Sequence, residues 1–171
     1  DAVRGIDIPV LVKNPLHPDL QLWVGAMERF TKVGITKLAA IHRGFYTFEQ
    51  SEYRNSPRWE LVYELQSLMP ELPIICDISH IAGSRALLKM VAQQAVDLKL
   101  DALMIETHCD PLNALSDAQQ QVTPARLKEL VDSLKYRNPE FTEAITRKSM
   151  ASIRTKIDEL DQMLLKNLSA R

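Results

Sequence analysis

Four short apolar runs recur along this chain, each separated from the next by enough residues for one helix. That alternation limits the fold more than any other feature of the sequence. The runs are IPVLV (8–12), TKLAAI (36–41), LPIICDI (72–78) and ALMIE (102–106). Near-continuous apolar runs of this length predict strands buried on both faces, as parallel strands are. The intervening segments carry helical periodicity. DLQLWVGAMERFTKVG (19–34) places Leu22, Ala26, Met27 and Phe30 at helical spacing, with Gly34 as a C-terminal stop. PRWELVYELQSL (57–68) and PARLKELVDSLK (124–135) each begin at a proline suited to a first helical turn, and SRALLKMVAQQAVDL (84–98) begins at a serine able to cap. The order β-α-β-α-β-α-β-α predicts the α/β class with a parallel sheet. Four repeats fit either a small open sheet or one half of an eight-unit barrel.

Past Lys135 the texture changes. YRNPEFTEA (136–144) is a polar, proline-containing connection, and 145–171 is one long helical pattern. Ile153, Ile157, Leu160, Leu164, Leu165 and Leu168 form its apolar face. The pattern reaches Arg171 without a capping signal.

The polar residues at the strand ends carry the chemistry. In α/β barrels, catalytic groups sit where strands end, because the loops there ring one pocket. The first strand ends in Lys13-Asn14-Pro15 and the second in His42-Arg43-Gly44. The third ends in Asp77-Ile78-Ser79-His80 and the fourth in Glu106-Thr107-His108, with Ala114-Leu115-Ser116-Asp117 further on. A buried strand gains nothing from such groups at its tip unless a ligand meets them, and four tips in succession carry them. Lys13 and Arg43 suit a phosphate and a carboxylate, the arginine by bidentate hydrogen bonding. His80, Glu106 and Asp117 offer an imidazole and two carboxylates, a donor set for Mn, Fe, Zn or Co rather than Ca. A divalent cation held there is a Lewis acid for a carbonyl oxygen.

KNP, IHRGF, EYRN, DISH, MIETH and ALSDAQQQ, in this order and spacing, resemble the C-terminal half of 3-deoxy-D-arabino-heptulosonate 7-phosphate (DAHP) synthase, in the form often fused to chorismate mutase. The resemblance covers roughly residues 5–135. It implies strands 5–8 of a TIM (β/α)8 barrel over 1–136 and condensation of phosphoenolpyruvate with erythrose 4-phosphate, the first step of the shikimate pathway. By position, Lys13 resembles the lysine that contacts phosphoenolpyruvate near the reacting carbon, and Arg43 the arginine that grips its phosphate. His80, Glu106 and Asp117 resemble three of four metal ligands, and Arg54 resembles a loop residue near the substrates. The related 3-deoxy-octulosonate 8-phosphate synthases share the barrel, the metal residues and the ETH…ALSD segment. The RGF and YRN segments, the IAG after DISH and the glutamines after ALSD favour the heptulosonate enzyme.

Residues 151–171 resemble the first helix of the all-α chorismate mutases, after a linker and helix start at 137–150. In that resemblance Arg154 and Arg171 contact the dicarboxylate substrate, chorismate. The family pattern departs at Ile78, which stands where a proline is usual, so local rigidity differs there. Cys109 matches no family ligand and reads as a loop residue. The fourth family ligand, a cysteine on the first strand, precedes Asp1, and Cys76 lies too far back in its strand to replace it. The expectation is therefore an enzyme segment, with a non-catalytic folding or association unit as the alternative for the chain alone.

Composition bounds the rest. The formal net charge of -1 provides no basic field for nucleic acid. No apolar run approaches the ~20 residues of a membrane helix. The opening DAVRGIDIPV lacks the layout of a signal peptide, and two cysteines without a secretion signal read as reduced thiols in a cytoplasm. Exposed sheet edges lead to an expected homo-oligomer.

Overall fold

The computed structural model describes residues 3–48, 50–136 and 152–164. The chain divides into two units, Asp1–Tyr136 and Arg137–Arg171. The first holds a four-stranded parallel sheet in the order β1-β2-β3-β4, formed by Val10–Lys13, Leu38–His42, Ile74–Asp77 and Ala102–Met104. The helices between and after the strands are α1 (Leu20–Lys32), α2 (Trp59–Leu68), α3 (Ile78–Ala82), α4 (Leu88–Asp97) and α5 (Pro124–Asp132). The expected α/β alternation is thus present, with a short helix, α3, set directly on the end of β3 and a 3-10 turn at Pro111–Asn113 added to it.

Not every strand is buried on both faces. The central pair β2 and β3 is almost wholly buried, whereas Leu11 of β1 is 49% exposed and β4 has no buried residue. Among the described residues, β1 and β4 each have one strand neighbour, so their other sides lack the cover that the apolar pattern anticipates.

Helix α1 begins at Asp19, whose carboxylate accepts from the N–H groups of Gln21 and Leu22. It ends as expected at Gly34, whose φ of 90° lets Ile35 N–H reach Phe30 O and Gly34 N–H reach Thr31 O. Its buried stripe is Leu20, Trp23 and Met27, with Ala26 and Phe30 packed beside it as expected, and of the expected face only Leu22 turns outward, half exposed. Trp23 orients the helix: its indole Nε1 donates to Val12 O at 3.1 Å and pins α1 against β1. Two helix starts also differ from expectation. α2 follows Arg58 in a left-handed conformation (φ 40°), which leaves Pro57 outside the helix, and α4 starts after Leu87 rather than at Ser84. α5 keeps its expected start, with Pro124 in the first turn and Thr123 Oγ1 accepting from Arg126 N–H.

In the second unit, residues 152–164 are helical with every residue exposed. Arg171, Leu165 and Leu168, and the connection at 137–150, lie outside the described residues. Among the described residues, no helix is long and apolar enough to cross a membrane.

Candidate metal and substrate site

Parallel strands end on one side of their sheet, so the tips of β1 to β4 meet. The central group is Asp77, the last residue of β3, whose side chain is 1% exposed. Its Oδ1 accepts from His80 N–H at 3.2 Å and so caps α3, while its Oδ2 accepts from Lys13 Nζ at 3.1 Å across β2. Oδ2 also lies 2.9 Å from His80 Nδ1, a charge-contact distance whose approach angle falls short of a hydrogen bond. This orients the imidazole with its other nitrogen, Nε2, 3.6 Å from Glu106 Oε1.

One potential ligand atom from each of His80, Glu106 and Asp117 lies within 4.8 Å of the other two. Each residue is held separately. α3 carries His80 and stops at Gly83 in a left-handed conformation (φ 66°). Glu106, just beyond β4, donates its N–H to the buried Ser79 Oγ at 2.9 Å. Asp117 has a positive φ of 50°, which aspartate tolerates better than most residues, and its Oδ1 accepts from Arg54 Nη1 at 2.6 Å. That hydrogen bond, with the Arg54 charge and weaker fields from His80 and Arg43, holds the Asp117 carboxyl below its usual range. A mixed imidazole and carboxylate set, partly buried and with Asp117 held in its anionic form, fits a divalent transition-metal cation.

Arg43 follows β2, and its Nε is buried without a hydrogen-bond partner. A buried guanidinium nitrogen of this kind costs stability unless an anionic oxygen meets it. Two asparagines place the segment. Asn14 Oδ1 accepts from Arg43 N–H at 2.7 Å while its Nδ2 donates to Gly44 O at 2.8 Å. Asn55 Nδ2 donates to Arg43 O and to His80 O, at 3.3 and 2.9 Å. The loops after β1, β2 and β3 are thereby clipped together.

The fold therefore gathers Lys13, Arg43, Arg54, His80, Glu106 and Asp117 at one end of the sheet. Arg154 lies in the second unit, exposed. His42 departs from the strand-tip pattern: it points into the core, with ring centroids 6.4, 5.8 and 5.1 Å from Trp23, Phe45 and Trp59. Asp77, Asn14, Asn55 and Gln120 were not singled out by residue chemistry, although each lies inside or beside a motif that was. Cys76 is buried in β3 and Cys109 is exposed, consistent with neither belonging to the cluster.

The model of the DAHP synthetase I family matches residues 1–141. The chain belongs to that family. The chain is 31% identical to the phospho-2-dehydro-3-deoxyheptonate aldolase of Thermotoga maritima, over 74% of this chain and 37% of the relative. It is 36% identical to the 2-dehydro-3-deoxyphosphooctonate aldolase of Helicobacter pylori strain Shi470, over 46% of this chain and 34% of that protein. Among solved structures, a truncated 3-deoxy-D-arabino-heptulosonate 7-phosphate synthase from Thermotoga maritima matches with a TM-score of 0.66 and 31% identity. That match covers 72% of this chain and 47% of the other. The chain thus spans less than half the length of these relatives.

Proposed function

We propose that the protein carrying this chain condenses phosphoenolpyruvate with erythrose 4-phosphate to give DAHP and phosphate. The observation that carries the reading is the meeting of His80, Glu106 and Asp117 beside Arg43, whose buried Nε has no partner. In this reading His80, Glu106 and Asp117 hold a divalent cation, Mn, Fe, Zn or Co, which supplies a Lewis acid for the aldehyde oxygen. Arg43 receives the phosphate of phosphoenolpyruvate. Lys13, aimed by its hydrogen bond to Asp77, contacts the same substrate near the reacting carbon. Arg54 lies at the edge, where its guanidinium is already neutralised in part by Asp117. C3 of phosphoenolpyruvate joins the aldehyde carbon, water enters at C2, and phosphate leaves. The test offers the purified protein each aldehyde, with phosphate release and product mass as readouts. Turnover with erythrose 4-phosphate supports the reading.

A second substrate has an observation in its favour, the 36% identity to the Helicobacter phosphooctonate aldolase. Arabinose 5-phosphate is therefore the second arm of the assay, and reaction with it alone transfers the assignment to octulosonate synthesis.

We also propose that the exposed helix at 152–164, carrying Arg154, opens a chorismate mutase module whose ligand is chorismate. Its apolar positions Ile153, Ile157, Leu160 and Leu164 are all at least half exposed, as a helix awaiting partner helices requires. Conversion of chorismate to prephenate, lost in Arg154→Ala, is the expected result; a protein inert toward chorismate removes this part. Sedimentation of the same sample tests the expected homo-oligomer.

A further inference from the structure

We propose that Gln120 is a positioning residue that orients Glu106 for the metal and locks it to Arg54. The inference rests on the metal-site reading above. Gln120 is 1% exposed, and both ends of its amide are committed. Nε2 donates to Glu106 Oε2 at 2.9 Å, and Oε1 accepts from Arg54 Nη1 at 2.8 Å. Only one amide orientation satisfies both neighbours, because the flipped form sets a carbonyl against a carboxylate and an NH2 against a guanidinium. The engagement of Oε2 leaves Glu106 Oε1 as the oxygen facing His80. Arg54 uses the same Nη1 on Asp117, so a continuous chain Glu106–Gln120–Arg54–Asp117 joins two of the three candidate ligands. The backbone reinforces it, since Gln120 N–H donates to Asp117 O at 3.0 Å and folds the loop that carries both side chains.

A glutamine suits this place better than a charged residue. A glutamate repels Glu106, and a lysine repels Arg54. The neutral amide donates to the anion through its NH2 and accepts from the cation through its separate carbonyl oxygen, so one side chain serves both neighbours. Partners of this kind typically change metal affinity by ~10–100-fold when removed.

The test titrates metal-free protein with Co2+ and reads both the dissociation constant and the visible ligand-field bands. Four proteins are compared: wild type, Glu106→Ala, Gln120→Met and Gln120→Asn. Methionine keeps the volume without either hydrogen bond; asparagine keeps the polarity but is too short to span both partners. The expected result is Co2+ binding weakened ~10–100-fold in both Gln120 variants, with altered bands and a metal-free melting temperature close to wild type. Should wild type and Glu106→Ala bind Co2+ alike, the metal site itself is misassigned and the proposal goes with it. Should Glu106→Ala lose binding while either folded Gln120 variant keeps wild-type affinity and bands, the metal site stands and the role of Gln120 is overturned.

Discussion

Asp77 Oδ2 and Lys13 Nζ meet at 3.1 Å across the intervening strand β2, joining the tips of β1 and β3 through one buried carboxylate. The same side chain caps α3, so charge and local geometry are combined in one residue. Asp77→Asn separates them, because the amide oxygen still caps His80 N–H while the charge that aims Lys13 is gone. Turnover is expected to fall at least ~10-fold with little loss of stability. Asp77→Ala removes the cap as well and costs about 1–2 kcal/mol, the lower side for a broken ion pair, because Lys13 is 40% exposed and its ammonium can hydrate. Urea denaturation beside steady-state kinetics distinguishes the two variants. Equal stability losses with unchanged turnover contradict the assignment.

The candidate ligands lead to a direct test. His80→Ala or Glu106→Ala is expected to abolish condensation and weaken metal uptake, as chelation of the wild type does. Lys13→Ala acts differently: phosphoenolpyruvate use falls sharply and by more than stability does, because the lysine itself is 40% exposed while the buried Asp77 loses its counter-charge and keeps its contacts to His80. Activity that survives chelation in both ligand variants rules the site out.

Gly83 and Gly25 respond oppositely to the same substitution. Gly83 ends α3 at φ 66°, and a Cβ there collides with the Cβ of Arg54, whose guanidinium serves Asp117 and Gln120. Gly83→Ala is expected to cost about 1–3 kcal/mol and to lower metal affinity through the displaced Arg54. Gly25 lies inside α1, and an added Cβ meets nothing within 4 Å. Gly25→Ala is expected to stabilise by about 0.4–1 kcal/mol without touching the site. Thermal melts of both variants check the contrast.

What the residues disclosed, and what they withheld, divides along physical lines. The four strands were legible because parallel strands need near-continuous apolar runs, and the site end was legible because ionisable groups cluster at the tips of such runs. His42 had the same position but the opposite role. Only the packing of Trp23, Phe45 and Trp59 around it decides that, and those rings come from three different segments. Gln120 was illegible for a similar reason: its partners are 14 and 66 positions away. The starts of α2 and α4 were misplaced because Arg58 and Leu87 lead in without any side-chain cap.

The two thiols provide a check on packing that needs no substrate. Cys76 is fully buried in β3, where burial, aided by the Asp77 charge, pushes its thiol well above the ordinary range. Cys109 is exposed. A chromogenic disulfide reagent at neutral pH is expected to modify Cys109 quickly and Cys76 only after unfolding. Rapid modification of both thiols in the native protein means that β3 is not packed as described.

His42 makes stability depend on pH in a definite direction. It is fully buried among aromatic rings, and neither ring nitrogen meets hydrogen-bond geometry. Burial lowers its pKa from 6.5 to about 4, and the backbone at Pro57 and the Asp77 charge offset only part of that effect. Above pH 6.5 the imidazole is neutral in both folded and unfolded chains and contributes no pH dependence. Between pH 6.5 and about 4 the unfolded chain binds a proton that the folded chain refuses, so stability falls as the pH falls. The loss from this residue is on the order of 3 kcal/mol at the acid end of that window. Carboxylates titrate in the same range, so the measurement is a difference between wild type and His42→Leu in urea denaturation across the window. The variant is expected to gain on the wild type steadily with acidification. Parallel stability curves would mean that the ring takes up a proton in the fold as readily as in the unfolded chain, which contradicts its burial among Trp23, Phe45 and Trp59.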